Sequence, residues 1–149
     1  EERSAVLNPF KKDGDIMKAG ETAFEVHAAI HTILKCERLV LNCMQRMSGI
    51  ATLTKKYTEK LVGYKTKVLD TRKTTPNFRL LEKEAVRIGG GYNHRMGLYD
   101  MIMLKDNHID YAGGLENAIE KAWQYVQTER PNLKIEVATT KIEEERWGE

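Results

Sequence analysis

The apolar positions of the chain change period near residue 36. Before that point Phe24, Val26, Ala28 and Ile30 recur at period two, as on a half-buried strand, after turn signals at Asp13-Gly14 and Ala19-Gly20. From Glu37 to about Leu61 the spacing becomes helical: Leu39, Cys43, Met47, Ile50 and Leu53 fall on one stripe, with Gly49 as a weak point. Beyond it, strand and helix patterns alternate. Lys67–Asp70 reads as a short strand, Phe78–Ile88 as a helix stopped by Gly89-Gly90-Gly91, and Tyr99–Lys105 as a second apolar strand. Gly114–Gln127 reads as a helix with Leu115, Ile119, Ala122 and Val126 buried, and Lys134–Ala138 as a third strand. Strands that are apolar on both faces, joined by helices, imply parallel pairing.

The expected fold class is therefore mixed α/β in two parts. Residues 1–36 form a small β-rich segment, 37–63 a long connecting helix, and 64–149 the first strands and helices of a parallel α/β layer or barrel. Three strands do not close a barrel, so this part reads as incomplete. The opening Glu1-Glu2-Arg3-Ser4, without an initiator Met, reads as an internal start.

Composition narrows the function classes. Of 149 residues, 41% are hydrophobic and 31% charged, which is an ordinary globular balance. A net charge of +2 and 7% aromatics offer neither the bulk charge nor the stacking platform of a nucleic-acid binder. No apolar run reaches membrane-spanning length, so no membrane partner is expected. Cys36 and Cys43 are seven apart, two turns along one helix, which suits reduced thiols in a cytoplasmic protein better than a disulfide or zinc site. His27 and His31 lack a third ligand and read as ordinary histidines.

Candidate chemistry gathers where parallel α/β folds bind ligands, at the carboxyl ends of strands. Thr71, Arg72 and Lys73 follow the first strand; Lys105, Asp106, Asn107 and His108 follow the second. His94 and Arg95 sit in the Gly-rich segment before the second strand and reach the same rim only if that segment folds back. Arg grips a carboxylate or phosphate with paired hydrogen bonds, and Lys supplies a compact charge. Cations gathered without compensation repel, so the cluster implies a ligand with several negative groups. The alternative is pairing with Asp70, Asp100 or Asp106. The triglycine carries neither a dinucleotide nor a Walker signature. No serine–histidine–aspartate arrangement is evident, and the pattern favours electrostatic stabilisation over nucleophilic catalysis.

The stretches ERLVLNCMQRMSGIAT (37–52), DTRKTTP (70–76), GGGYNHRMGLYD (89–100) and LKDNHI (104–109) closely resemble the quinolinate phosphoribosyltransferase family, and DGDIMKAGETAFEV resembles its amino-terminal β-sandwich. The resemblance spans nearly the whole chain and implies a middle half of a longer protein: part of a β-sandwich followed by the start of an α/β barrel. It implies transfer of phosphoribose from phosphoribosyl pyrophosphate to quinolinate with magnesium, releasing pyrophosphate and carbon dioxide and giving nicotinate mononucleotide for NAD synthesis.

By motif match, Arg38, Arg72, His94 and Arg95 would hold the quinolinate carboxylates, with Thr71 in the same binding set. Lys73 and Lys105 would face the phosphates and the developing charge as catalytic groups. The resemblance further implies a homodimer or higher oligomer in which Arg38 serves the neighbouring subunit's site. Two departures stand out. Ala138 occupies the place of an acid that the family uses for ribose and metal, leaving Glu136 as the strand's acid, and Asn77 replaces a glycine after Pro76. A molybdenum-transport-associated relative, or a non-catalytic anion-binding fragment, are the alternative readings.

Overall fold

The computed structural model describes residues 5–138. They divide into two compact units, one ending at His94 and the other starting at Arg95. The chain is mixed α/β with two small sheets.

In the first unit, β1 (Val6–Pro9) and β2 (Phe24–His27) pair antiparallel, with Val6 opposite His27 and Pro9 opposite Phe24. The period-two run was expected to continue to Ile30, but the strand stops at His27. Ile30 instead opens the 31-residue helix α1 (Ile30–Lys60), seven residues earlier than the expected start. His31 is therefore helical, whereas His27 stays on the strand. Helix α1 runs through Gly49 without a break. Its expected stripe is only partly covered: Cys43, Met47 and Ile50 are half-buried, while Leu39 is 68% exposed and Leu53 56%.

Helix α2 (Arg79–Ile88) packs on the second half of α1. The contact is close because its end is glycine. A Cβ on Gly89 would lie 2.5 Å from the Ala51 carbonyl oxygen and 2.7 Å from Thr54 Cβ. One on Gly91 would meet Val86 and Thr54 side chains at 2.8 and 2.9 Å. The triglycine thus serves helix packing. The Thr58 hydroxyl of α1 donates to the Gly89 carbonyl at 3.2 Å and fastens the same junction.

The strand expected at Lys67–Asp70 shrinks to a single parallel bridge, Leu69 to Tyr92. Tyr92 N–H donates to the Val68 carbonyl at 2.8 Å and Asp70 N–H to the Tyr92 carbonyl at 3.0 Å. Between the bridge and α2, Thr75–Phe78 makes a turn closed by Phe78 N–H to the Thr75 carbonyl at 3.0 Å. Asn77 sits at φ 60°, the left-handed conformation needed at the third position of a type II turn after proline. Asparagine tolerates that region better than most other side-chain-bearing residues, so it can hold this turn position.

In the second unit, β3 (Met101–Leu104) and β4 (Lys134–Val137) pair in parallel, with Met103 opposite Glu136. Between them lie α3 (Asp106–Ala112) and α4 (Leu115–Glu129). Helix α3 has no counterpart among the elements expected from the sequence. Gly113, at φ 82°, ends it in a left-handed cap. Leu104, Ala118 and Val126 form the buried apolar centre of this unit.

The glycines separate two effects in one experiment. Gly89→Ala must push α2 off the α1 backbone and is expected to cost about 2 kcal/mol or more in urea unfolding. Gly49→Ala meets nothing within 4 Å. It should gain up to about 1 kcal/mol from helix propensity alone.

Candidate functional site

Three charged residues of α2, Arg79, Glu82 and Lys83, occupy positions i, i+3 and i+4 and so share one face. That face grips the segment Asp70–Thr75 along its length. Lys83 is 1% exposed, and its ammonium donates to the Asp70 carboxylate and, at 3.0 Å, to the His94 carbonyl. The same Asp70 Oδ1 accepts His94 N–H at 2.8 Å. The Asn93 amide, oriented by its partners, donates to Asp70 Oδ2 and to the Lys83 carbonyl, each at 2.9 Å. Arg79 holds the middle, with Nε to the Thr74 hydroxyl at 3.2 Å and Nη2 to the Arg72 carbonyl at 3.3 Å.

Glu82 holds the far end. Its carboxylate accepts the Thr75 hydroxyl at 2.8 Å and the Thr75 N–H at 3.2 Å. It also accepts Arg46 from α1, at 3.0 Å from Nε and 2.8 Å from Nη2. Arg46 Nη2 lies 3.1 Å from the Thr75 hydroxyl as well. Burial pushes the Glu82 carboxyl up, but hydrogen bonds from Arg46 and Thr75 outweigh it and hold the group below the usual carboxylate range.

Of the residues expected from sequence, the first unit collects four on this frame. Thr71 is exposed and its hydroxyl accepts Lys73 N–H at 3.1 Å. Arg72 is half-buried and Lys73 exposed. His94 is tied to Asp70 through its main chain. The parallel bridge carries Asn93 and His94 alongside Asp70, so no fold-back is required. Arg38 lies on the exposed first half of α1.

In the second unit, Arg95 is half-buried and its Nη2 donates to Met103 Sδ at 3.4 Å. Lys105 is exposed, directly follows β3 and caps α3. Its N–H donates to His108 Nδ1 at 3.0 Å, so the histidine counted among the rim residues serves as a helix cap. Glu136 is half-buried on β4, and Ala138, just beyond it, donates its N–H to the Leu104 carbonyl at 2.8 Å.

Of the three carboxylates that could have neutralised the cations, Asp106 accepts the adjacent Asn107 N–H at 2.9 Å, and the other two are engaged as well. Asp70 binds Lys83, and Asp100 accepts the N–H groups of Met96 and Gly97 at 2.6 and 2.8 Å. Among the described residues, Arg72, Lys73 and Lys105 enter no ion pair. A cavity of about 530 Å³ lies elsewhere, at the end of α1 between Thr58, Leu61, Lys65 and Tyr92, and none of the expected cations lines it. Sequence reasoning missed Arg46, Arg79, Glu82 and Lys83. The available signal was a helix whose charges recur at i, i+3 and i+4 beside a cation-bearing loop.

Comparison with known proteins gives a consistent result. Residues 50–146 match the family described as quinolinate phosphoribosyl transferase, C-terminal domain, and residues 3–48 match its N-terminal domain. The chain is 50% identical over 129 residues to a probable nicotinate-nucleotide pyrophosphorylase (carboxylating) of Bacillus subtilis, covering 87% of this chain and 44% of that protein. It is 48% identical over 134 residues to the chloroplastic enzyme of that name from Arabidopsis thaliana, covering 90% and 38%. The structure of NadC from Streptococcus pyogenes superposes with a TM-score of 0.84 at 44% identity, covering 94% of this chain and 49% of that one. The nicotinate-nucleotide pyrophosphorylase from Francisella tularensis gives 0.84 at 41%, covering 96% and 50%. The chain thus spans less than half the length of the curated relatives it matches.

Glu82 makes the site's integrity depend on pH. Its folded-state pKa is depressed below the usual 4.5, so its contribution is fully present above that value and lost as pH falls through the folded pKa. Glu82→Gln should cost about 1 kcal/mol near neutrality. The gap between the two proteins should close on acidification, read from melting temperatures between roughly pH 7 and pH 3.

Proposed function

The chain belongs to the quinolinate phosphoribosyltransferase family, and we propose that the protein transfers phosphoribose from phosphoribosyl pyrophosphate to quinolinate with loss of carbon dioxide. The product is nicotinate mononucleotide, for NAD biosynthesis. The observation that supports this reading best is the Arg72–Lys73 segment: it is fixed to α2 by its main chain and threonines, while its two cations stay without carboxylate partners among the described residues. Such a site is arranged for an incoming polyanion.

In this reading Arg38, Arg72, His94 and Arg95 take the two carboxylates of the pyridine, and Thr71 lines the same place. Lys73 and Lys105 face the phosphates. The bond between the ribose anomeric carbon and the pyrophosphate oxygen breaks, and the electron pair leaves with pyrophosphate, whose charge the lysines offset. The pyridine nitrogen then bonds to the oxocarbenium-like carbon. The carboxylate beside the now cationic nitrogen departs as carbon dioxide. Its bonding pair stays on the ring carbon, which takes a proton from water.

The family resemblance implies magnesium, but the described side chains do not form a seat for it. No group of three His, Cys, Asp or Glu converges among the described residues, and Ala138 stands where the acid is expected. The same substitution favours a second reading, an anion-binding protein without turnover.

A shared-site oligomer is part of the proposal. Leu34, Arg38 and Leu41 lie at i−4, i and i+3 on one face of α1, all exposed, as an arginine serving a neighbouring subunit would require. Free Cys36 and Cys43 suit a cytoplasmic location. Among the described residues no helix is long and apolar enough to cross a membrane.

Formation of nicotinate mononucleotide from the two substrates separates the enzyme from the binder. Arg72→Ala is expected to raise the quinolinate KM by roughly tenfold or more, with a far smaller effect on the phosphoribosyl donor. Equal losses for both substrates would show that Arg72 does not read the pyridine carboxylates.

A further inference from the structure

We propose that Lys83 is a positioning residue, which sets the substrate-binding histidine against the Arg72–Lys73 segment without touching substrate. The proposal rests on the functional reading given above. Position 83 faces the packed side of α2, where an apolar residue would fill the space without the cost of desolvating an ammonium. The lysine is therefore explained by what its donors reach. One goes to Asp70, the residue that begins the cation-bearing segment, and one to the His94 carbonyl at 3.0 Å.

Asp70 in turn accepts the His94 N–H at 2.8 Å. Both main-chain polar groups of His94 are thus held, one by each member of a buried ion pair. Asn93 closes the frame with its two bonds of 2.9 Å to Asp70 and to the Lys83 carbonyl. With the main chain fixed on both sides, the direction in which the imidazole leaves the backbone is fixed too. The same pair anchors Asp70, one residue before Thr71 and two before Arg72. A lost Lys83 would let the two segments drift apart, and sub-ångström placement is what binding a small planar diacid requires.

The test compares the unsubstituted full chain with Lys83→Met and with the paired Asp70→Asn/Lys83→Met. The paired variant removes both buried charges, so a folded protein remains available if the single variant, with Asp70 left alone, does not fold. Two measurements are made: amide hydrogen exchange at His94, and quinolinate affinity by calorimetry. In the paired variant His94 exchange should accelerate at least tenfold, while the Gly91 amide, bonded to the Val86 carbonyl at 3.0 Å, keeps its protection. The quinolinate Kd should rise about tenfold. A folded paired variant that binds quinolinate within twofold of the unsubstituted chain overturns the proposal. So does exchange that accelerates equally at Gly91, which would report general loosening. If the unsubstituted chain does not bind quinolinate, the functional reading fails, and the His94-to-Gly91 exchange ratio alone decides whether Lys83 sets the main chain.

Discussion

The buried pair between Asp70 and Lys83 is the constraint on which the rest of the first unit's site depends. Both side chains are almost wholly removed from water. Two charges so placed are tolerated only when each is matched and its remaining hydrogen-bonding capacity is used. Here it is used on the main-chain N–H and carbonyl of His94 and on the side-chain amide of Asn93. The pair contributes little net stability by itself, since desolvation offsets much of the attraction. Its effect is to make one backbone arrangement far cheaper than its neighbours. Losing either partner strands the other in the interior, so the two positions are coupled.

Helix α2 extends the same logic along the loop. Lys83 holds the beginning of the segment, Arg79 its middle and Glu82 its end. Arg46 then ties Glu82 to α1, so the long helix is fastened to the loop as well as packed on α2. Glu82 lies in the first turn of α2, where the helix dipole favours a negative charge. The threonines of the segment Thr71–Thr75 are thereby accounted for. Thr74 and Thr75 supply hydroxyls to the α2 charges, and Thr71 closes a local turn on Lys73.

Legibility in the sequence followed the physical origin of each feature. Helix α4 and strands β3 and β4 were readable because an apolar stripe or run defines each of them. The cations at 72, 73, 94, 95 and 105 were readable because charge beside a strand end is visible in one dimension. On α2, burial does not follow hydrophobicity. Leu80 is 72% exposed, whereas Glu82 and Lys83 are buried. A periodicity rule assigns the interior to leucine, and a site that must be wired to main chain reverses it. Helix α3 was missed for a related reason. Its seven residues, DNHIDYA, present no stripe, and its start depends on a His108 cap that no pattern announces. The strand expected at Lys67–Asp70 is reduced to one bridge, in which Val68 and Asp70 bond the main chain of Tyr92.

Charge placement ties these observations to function. With 24 lysines and arginines against 22 aspartates and glutamates, the protein has nearly enough acids to neutralise its cations locally. In the first unit the nearest acid to Arg72 and Lys73 is withheld from them: Asp70 faces inward onto a lysine, and Glu82 takes its arginine from α1. The result is a loop whose geometry is fixed by carboxylates that do not cancel its charge. Flexible surface lysines would gain an anion only by paying the entropy of ordering around it. Here the ordering is done at folding, chiefly by the buried Asp70, Glu82 and Lys83, and the charges of Arg72 and Lys73 are not cancelled by an ion pair among the described residues.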